Sequence, residues 1–130
     1  MSDLIKTMAV SASGMKAQGT RLRHVSENIA NADTPGYRRK LTSFETAMAD
    51  RNGVSLVKPG PVRLDQSDRE KIFDPSHPMA DETGHFDGSN VDLLIEIADA
   101  RQAQRSYEAN LKMFDQARQM TSSLFELLRK

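Results

Sequence analysis

Ser26-Glu27-Asn28-Ile29-Ala30-Asn31-Ala32-Asp33-Thr34-Pro35-Gly36-Tyr37-Arg38-Arg39-Lys40 is the stretch on which the chain turns. A seven-residue apolar repeat leads up to it. A polar middle rich in Pro and Gly follows, and a second long periodic segment comes last. Thr34-Pro35-Gly36-Tyr37 has the composition of a type II turn, because Pro35 presets φ at about −65° in the second position and Gly36 accepts φ > 0 in the third. Pro35 also disfavours helical geometry in the residue before it, so a helix arriving from the N-terminus is expected to end by Asp33.

Upstream of this corner, Met8, Met15, Leu22 and Ile29 form one wholly apolar row. Leu4, Ser11, Gln18, Val25 and Ala32 form the companion row, interrupted by Ser11 and Gln18. Gly14 and Gly19 each cost a helix about 1 kcal/mol relative to Ala, so this rod of about 40 Å is marginal by itself and needs partners.

Downstream, Thr42-Ser43-Phe44-Glu45 reads as a capping box opening a short helix through Ala49, ended by Asn52-Gly53. Val54-Ser55-Leu56-Val57 and Val62-Arg63-Leu64 read as two strands of a loose hairpin around Lys58-Pro59-Gly60-Pro61. Two strands are barely stable alone, so the piece must pack on a helix or on another molecule. Residues 66–90, with Ile72, Phe73 and Met79 as scattered apolar anchors, read as a loop that orders on assembly, with a mobile loop as the alternative.

Ser89-Asn90-Val91-Asp92 supplies an N-cap with acid in the first turn of a second long helix. Its seam runs through Leu93, Ile97, Ala100, Gln104, Tyr107, Leu111 and Phe114, then shifts to Ala117, Thr121, Leu124 and Leu128, a break in heptad phase. The fold class is therefore mainly α: two long terminal helices pairing as an antiparallel coiled coil, with a small irregular and β-hairpin middle. The chain divides at 1–33, 34–90 and 91–130. A two-helix hairpin buries one stripe per helix, yet Ile5, Val10, Leu94, Ile95, Met113, Met120, Phe125 and Leu127 lie off the stripes. Burying a large apolar side chain contributes about 1.5–3 kcal/mol, so the surplus points to other chains. A compact bundle in which the middle covers the second stripe is the alternative.

The composition excludes several classes of function. The 130 residues balance 18 basic against 18 acidic side chains and contain no cysteine, which rules out disulfides and thiolate metal sites. Residues 1–40 carry seven Lys/Arg against three Asp/Glu, and Arg21, Arg23, Arg38, Arg39 and Lys40 raise the question of a phosphate-binding surface. No aromatic platform accompanies them, and nucleic acid is not expected. His77 and His85, among Asp81, Glu82 and Asp87, match no metal-ligand rhythm, and neither a phosphate-cradling loop nor a nucleophile motif occurs. Tyr37 and Tyr107 read as packed aromatics with satisfied hydroxyls. No enzyme, cofactor or metal is expected. No apolar stretch approaches a membrane span and no cleaved signal is evident.

The run from Ser26 to Tyr37 resembles the signature of bacterial flagellar axial proteins, the rod and hook components. Ser89-Asn90-Val91-Asp92-Leu93-Leu94, Ala103-Gln104-Arg105-Ser106-Tyr107-Glu108-Ala109-Asn110 and Asp74-Pro75-Ser76-His77-Pro78-Met79-Ala80-Asp81 look like a proximal-rod subunit of that family. Sister rod subunits are the nearest rivals. A cytoplasmic coiled-coil adaptor and a basic nucleic-acid binder are the readings from other classes.

The resemblance implies a structural subunit that leaves the cytoplasm uncleaved through the flagellar type III export apparatus. There it assembles with itself, other rod proteins and basal-body ring proteins into a torque-transmitting tube around the export channel. Met8, Met15, Leu22, Val25, Ile29, Leu93, Ile97, Tyr107, Leu111 and Phe114 would be its assembly seam. Asn28, Asn31, Thr34, Pro35, Gly36 and Tyr37 would be the joint between tube helix and outer region, the two asparagines satisfying backbone groups in the last helical turn or in a neighbour. On this reading Gly36→Val disturbs assembly more than Arg39→Ala, since Arg39 reads as a replaceable surface charge.

Overall fold

The computed structural model describes residues 2–47 and 53–129. Helix α1 spans Ser2–Ala30 and helix α2 spans Leu93–Arg129. Between them lie β1 (Lys40–Leu41), β2 (Phe44–Ala47), β3 (Leu56–Pro59), β4 (Arg63–Leu64), β5 (Lys71–Phe73) and β6 (His85–Asp87). The chain is mainly helical, with small antiparallel strand pairs in the middle.

The helices pack against each other in opposite directions. From the corner outward, Asn28 meets Glu96, Arg21 reaches Asp99 and Gln102, and Gly14 lies against Asn110. A Cβ on Gly14 would stand 2.7 Å from Asn110 Oδ1, so the glycine is what allows this approach. The residues buried along the contact are mostly small or polar: Ser11, Ala17, His24, Val25 and Asn28 on α1, and Glu96, Ala103 and Ala117 on α2. Ser11 and Val25 belong to the interrupted row of the sequence pattern.

On α2 the inward column is Glu96, Ala103, Asn110 and Ala117, which keeps its seven-residue phase. The phase break expected after Phe114 came from starting the seam at Leu93, Ile97 and Leu111, which are exposed; its shifted part meets the inward column at Ala117. Asp92 caps α2, its Oδ1 accepting from the Leu94 N–H at 3.0 Å. Ser89 instead donates to Ala32 O, tying the start of α2 to the end of α1.

The middle corrects two expectations. Phe44–Ala47 is not helical but pairs antiparallel with Leu56–Pro59, from Phe44 opposite Pro59 to Ala47 opposite Leu56. Ala49 and Asn52, where the expected helix was to end, lie outside the described residues. The two expected strands do not pair with each other either. Val62-Arg63-Leu64 contributes β4, which pairs with β1, Lys40 opposite Leu64 and Leu41 opposite Arg63.

Together the two ladders make one antiparallel ribbon, interrupted where Thr42-Ser43 faces Gly60-Pro61-Val62. Pro59 and Pro61 lack the N–H that a ladder needs, so a tight hairpin built around them loses donors. Pairing with residues 40–47 satisfies the backbone and lays β3 and β1 along α1. There the Val57 N–H donates to Ser13 Oγ at 3.2 Å.

Residues 66–90 are more regular than expected. β5 and β6 form an antiparallel pair, Lys71 opposite Asp87 and Phe73 opposite His85. The connection is braced locally: Asp74 accepts from the Ser76 N–H and hydroxyl, and Asp81 accepts from the Thr83 N–H and hydroxyl and from the His85 N–H. His77 stacks on Phe86 at 3.9 Å between ring centroids.

Candidate assembly joint

Helix α1 gives way at Ala30 to turn residues, and the corner closes with the Tyr37 N–H donating to Thr34 O at 3.2 Å while Gly36 holds φ +77°. These are the bond and backbone that the Thr-Pro-Gly-Tyr composition calls for. The Gly36 N–H donates to the carbonyls of Asp87 and Gly88, and Arg69 Nη1 donates to Gly36 O at 3.0 Å, so the turn is fastened to the end of β6 and to the segment leading into β5.

Asn28 is the centre of the corner. It is 1% exposed, and its amide uses all four hydrogen-bonding positions. Nδ2 donates to Lys40 O at 3.1 Å and to Glu96 Oε2 at 3.2 Å. Oδ1 accepts from the Lys40 N–H and from the Tyr37 hydroxyl, each at 2.8 Å. One side chain thus binds α1, β1, α2 and the turn. Asn31 acts closer to home, its Nδ2 donating to Glu27 O at 2.8 Å and its Oδ1 accepting from the Thr34 hydroxyl at 3.1 Å.

Glu96 is fully buried and meets Arg39, whose Nε donates to Oε1 at 2.6 Å. Arg39 also reaches Asp65 Oδ2 at 3.3 Å, and its backbone N–H donates to Asn90 Oδ1 at 2.7 Å. Asn90 in turn donates to the carbonyls of Asp65 and Ser67. Burial by itself disfavours the Arg39 cation, but the bonds and charges of Glu96 and Asp65 outweigh it and raise its pKa. No buried side-chain nitrogen or oxygen among the described residues lacks a hydrogen-bond partner. Burial pushes the Tyr37 hydroxyl pKa up. His24, buried beside the joint, bonds Thr42 through Nδ1 at 2.7 Å, and desolvation lowers its pKa despite the nearby Glu27 carboxylate. The side-chain bond from Lys40 holds Glu27 below its ordinary value.

The five basic residues singled out in the first third are engaged within the chain. Arg21 pairs with Asp99, Arg39 with Glu96 and Asp65, and Lys40 with Glu27. Arg38 donates to two backbone carbonyls, and Arg23 stands 3.9 Å from Glu27.

Of the expected seam, Val25 is buried between the helices, while Met8, Met15, Leu22 and Phe114 are half-buried. Ile29, Leu93, Ile97, Tyr107 and Leu111 stand exposed on the single chain. Sequence reasoning missed Glu96, Arg39 and His24 as corner residues. The available signal was a carboxylate in the same seven-residue column as Ala103, Asn110 and Ala117, a place where a charge needs a partner.

Comparison with known proteins agrees with this architecture at both ends. The family model described as "Flagella basal body rod protein" matches residues 8–38, and that described as "Flagellar basal body rod FlgEFG protein C-terminal" matches residues 82–127. The chain is 43% identical to the flagellar basal-body rod protein FlgC of Agrobacterium fabrum, covering 99% of this chain and 98% of that one. It is 32% identical to the protein of the same name from Aquifex aeolicus, over 97% and 98% of the two chains. With that from Salmonella typhimurium the identity is 29%, over 90% and 92%. The chain therefore belongs to the FlgC family of flagellar basal-body rod proteins, which are structural components of the flagellum and not enzymes.

Proposed function

We propose that this rod subunit takes its place in the proximal rod by laying its two terminal helices, as an antiparallel coiled coil, against the helices of neighbouring rod proteins, its own copies included. Residues 1–33 and 91–130 then form the wall of a torque-transmitting tube around the export channel. Residues 34–90 face outward, toward adjacent rod proteins and basal-body ring proteins. The joint at Asn28, Asn31, Thr34, Pro35, Gly36 and Tyr37 fixes the angle between the two parts. The subunit reaches its place through the flagellar type III export apparatus without a cleaved signal peptide. No helix among the described residues is long and apolar enough to cross a membrane.

One observation carries this reading: the apolar surplus of the helices stays uncovered by the chain itself. Leu94 is 77%, Leu127 68% and Ile95 55% exposed, and Ile5, Val10, Met113, Met120 and Phe125 are exposed as well. Contacts that repeat without closing on themselves build helical tubes, and they need apolar surface on more than one side of each subunit. All the off-stripe residues are exposed, and Ile29, Leu93, Ile97, Tyr107 and Leu111 of the expected seam add to the uncovered surface.

The test places Leu94→Asp and Leu127→Asp in a strain lacking the native chain. Neither residue is buried, so the purified variants should melt as the native protein does. Motility should be lost, and the variant chain should be missing from purified basal bodies. Normal swimming by both variants would overturn the proposal.

A further inference from the structure

The corner contains a costly arrangement that stability alone does not explain. Glu96 is a carboxylate with no solvent exposure, at a place where an apolar side chain of similar volume would fill the same space. Withdrawing such a charge from water costs several kcal/mol by rough account, and replacing a buried ion pair with well-packed apolar residues is often neutral or stabilising. What the pair supplies is direction. Glu96 Oε1 accepts from Arg39 Nε at 2.6 Å and Oε2 from Asn28 Nδ2 at 3.2 Å, so each oxygen answers to a different element. Asn28 holds both backbone groups of Lys40, and Arg39 continues to Asp65 and Asn90. Hydrogen bonds weaken steeply with angle, whereas apolar contacts tolerate rotation. A corner filled with hydrocarbon would hold the pieces together at several angles.

We infer that Glu96 is a positioning residue: it fixes the attitude of the outer ribbon β1–β4 on the helix pair, and contributes geometry in place of stability. α2 has no other residue that bonds both α1 and the segment after the turn among the described residues. The inference concerns the single chain and stands whether or not the assembly reading above does.

The chain has no cysteine, so labels can be placed at will. Thr46 on β2 and Arg105 on α2 are both exposed, and spin labels on Thr46→Cys and Arg105→Cys report the distance between ribbon and helix. Full-length protein should give one narrow distance distribution. In Glu96→Leu/Arg39→Met the melting temperature should fall by no more than the loss of one acceptor for Asn28 Nδ2 accounts for, while the distribution broadens or splits. A disulfide between Gly14→Cys and Asn110→Cys, positions that touch in the structure, should form as readily as in the parent and show that the helix pair is intact. Glu96→Gln keeps an acceptor for only one of Arg39 and Asn28 and turns an N–H toward the other, so it should broaden the distribution as well.

An unchanged distribution in the apolar double variant would overturn the inference. So would a double variant that melts well below the parent or fails to fold, because the pair would then be stabilising. An unchanged narrow distribution in Glu96→Gln would do so as well, since one of the two directed bonds is then replaced by facing donors.

Discussion

Arg39 Nε lies 2.6 Å from Glu96 Oε1, and the carboxylate it serves is shut off from solvent. Arg39 is therefore not the replaceable surface charge that the sequence suggested, and in stability Arg39→Ala should cost more than Gly36→Val. Arg39→Ala strands a buried charge, which costs about 3–5 kcal/mol. At Gly36, where φ is +77°, an added Cβ finds only Arg69 Nη1 at 3.7 Å, so Gly36→Val adds chiefly backbone strain. Such strain costs roughly 1–3 kcal/mol. Urea denaturation of both variants should find Arg39→Ala the less stable.

The two asparagines of the joint should separate sharply. Asn28→Ala leaves the Tyr37 hydroxyl and both backbone groups of Lys40 without a partner in a buried place. Each group that stays unsatisfied costs about 1–3 kcal/mol. Asn31 is half-buried and its bonds are local, so Asn31→Ala should cost no more than about 1 kcal/mol. Midpoints in urea for the two variants, compared with the parent, provide the measurement.

Two glycines in the same helix should respond with opposite sign. Nothing lies within 4 Å of a Cβ built on Gly19, so Gly19→Ala gains helix propensity and should stabilise by about 1 kcal/mol. A Cβ on Gly14 meets three atoms of the Asn110 amide at 2.7–2.8 Å. Gly14→Ala forces that amide aside and offsets the propensity gain, and Gly14→Leu should destabilise by about 1–3 kcal/mol through overpacking. Thermal melting of the three variants decides it.

Acidification should act through His24. Its pKa in the folded chain lies below the ordinary 6.5 because burial disfavours the cation. As pH falls from 6.5 the unfolded chain takes up this proton first, so stability is full above 6.5 and declines until the lowered value is passed. Protonation of the folded chain also sets a positive charge near Arg23 and Lys40, partly answered by Glu27. His24→Gln, which keeps a polar group for Thr42, should flatten the slope of stability against pH in that window.

What the sequence made legible was local. The helices show in a seven-residue period, and the corner shows because a Thr-Pro-Gly-Tyr turn is specified by the φ preferences of two adjacent residues. Pairings across the chain left no such trace. Thr42 to Glu45 satisfied a capping pattern, and the strand character of Phe44 to Ala47 depends on Leu56 to Pro59, which no window around residue 44 contains. Glu96 sits in a first helical turn, where an acid is commonplace. Its partner Arg39 is 57 residues away, and only the folded corner brings them together. The first half of the inner seam of α2 was missed for a different reason: ranking positions by apolar size favours Leu93, Ile97 and Leu111, whereas two helices in close approach bury Ala103.

The outer ribbon has one rail longer than the other. Where Thr42-Ser43 runs beside Gly60-Pro61-Val62, the surplus residue must be taken up as curvature and added twist. A bend of this origin is set by chain length, much as a railway curve is set by the difference between its inner and outer rails. Neighbouring molecules can press on such a ribbon without straightening it, and side-chain substitutions along it leave its arc in place. Deleting one residue from the longer rail changes the arc at once, which makes the shape of this surface a property of residue number more than of residue type.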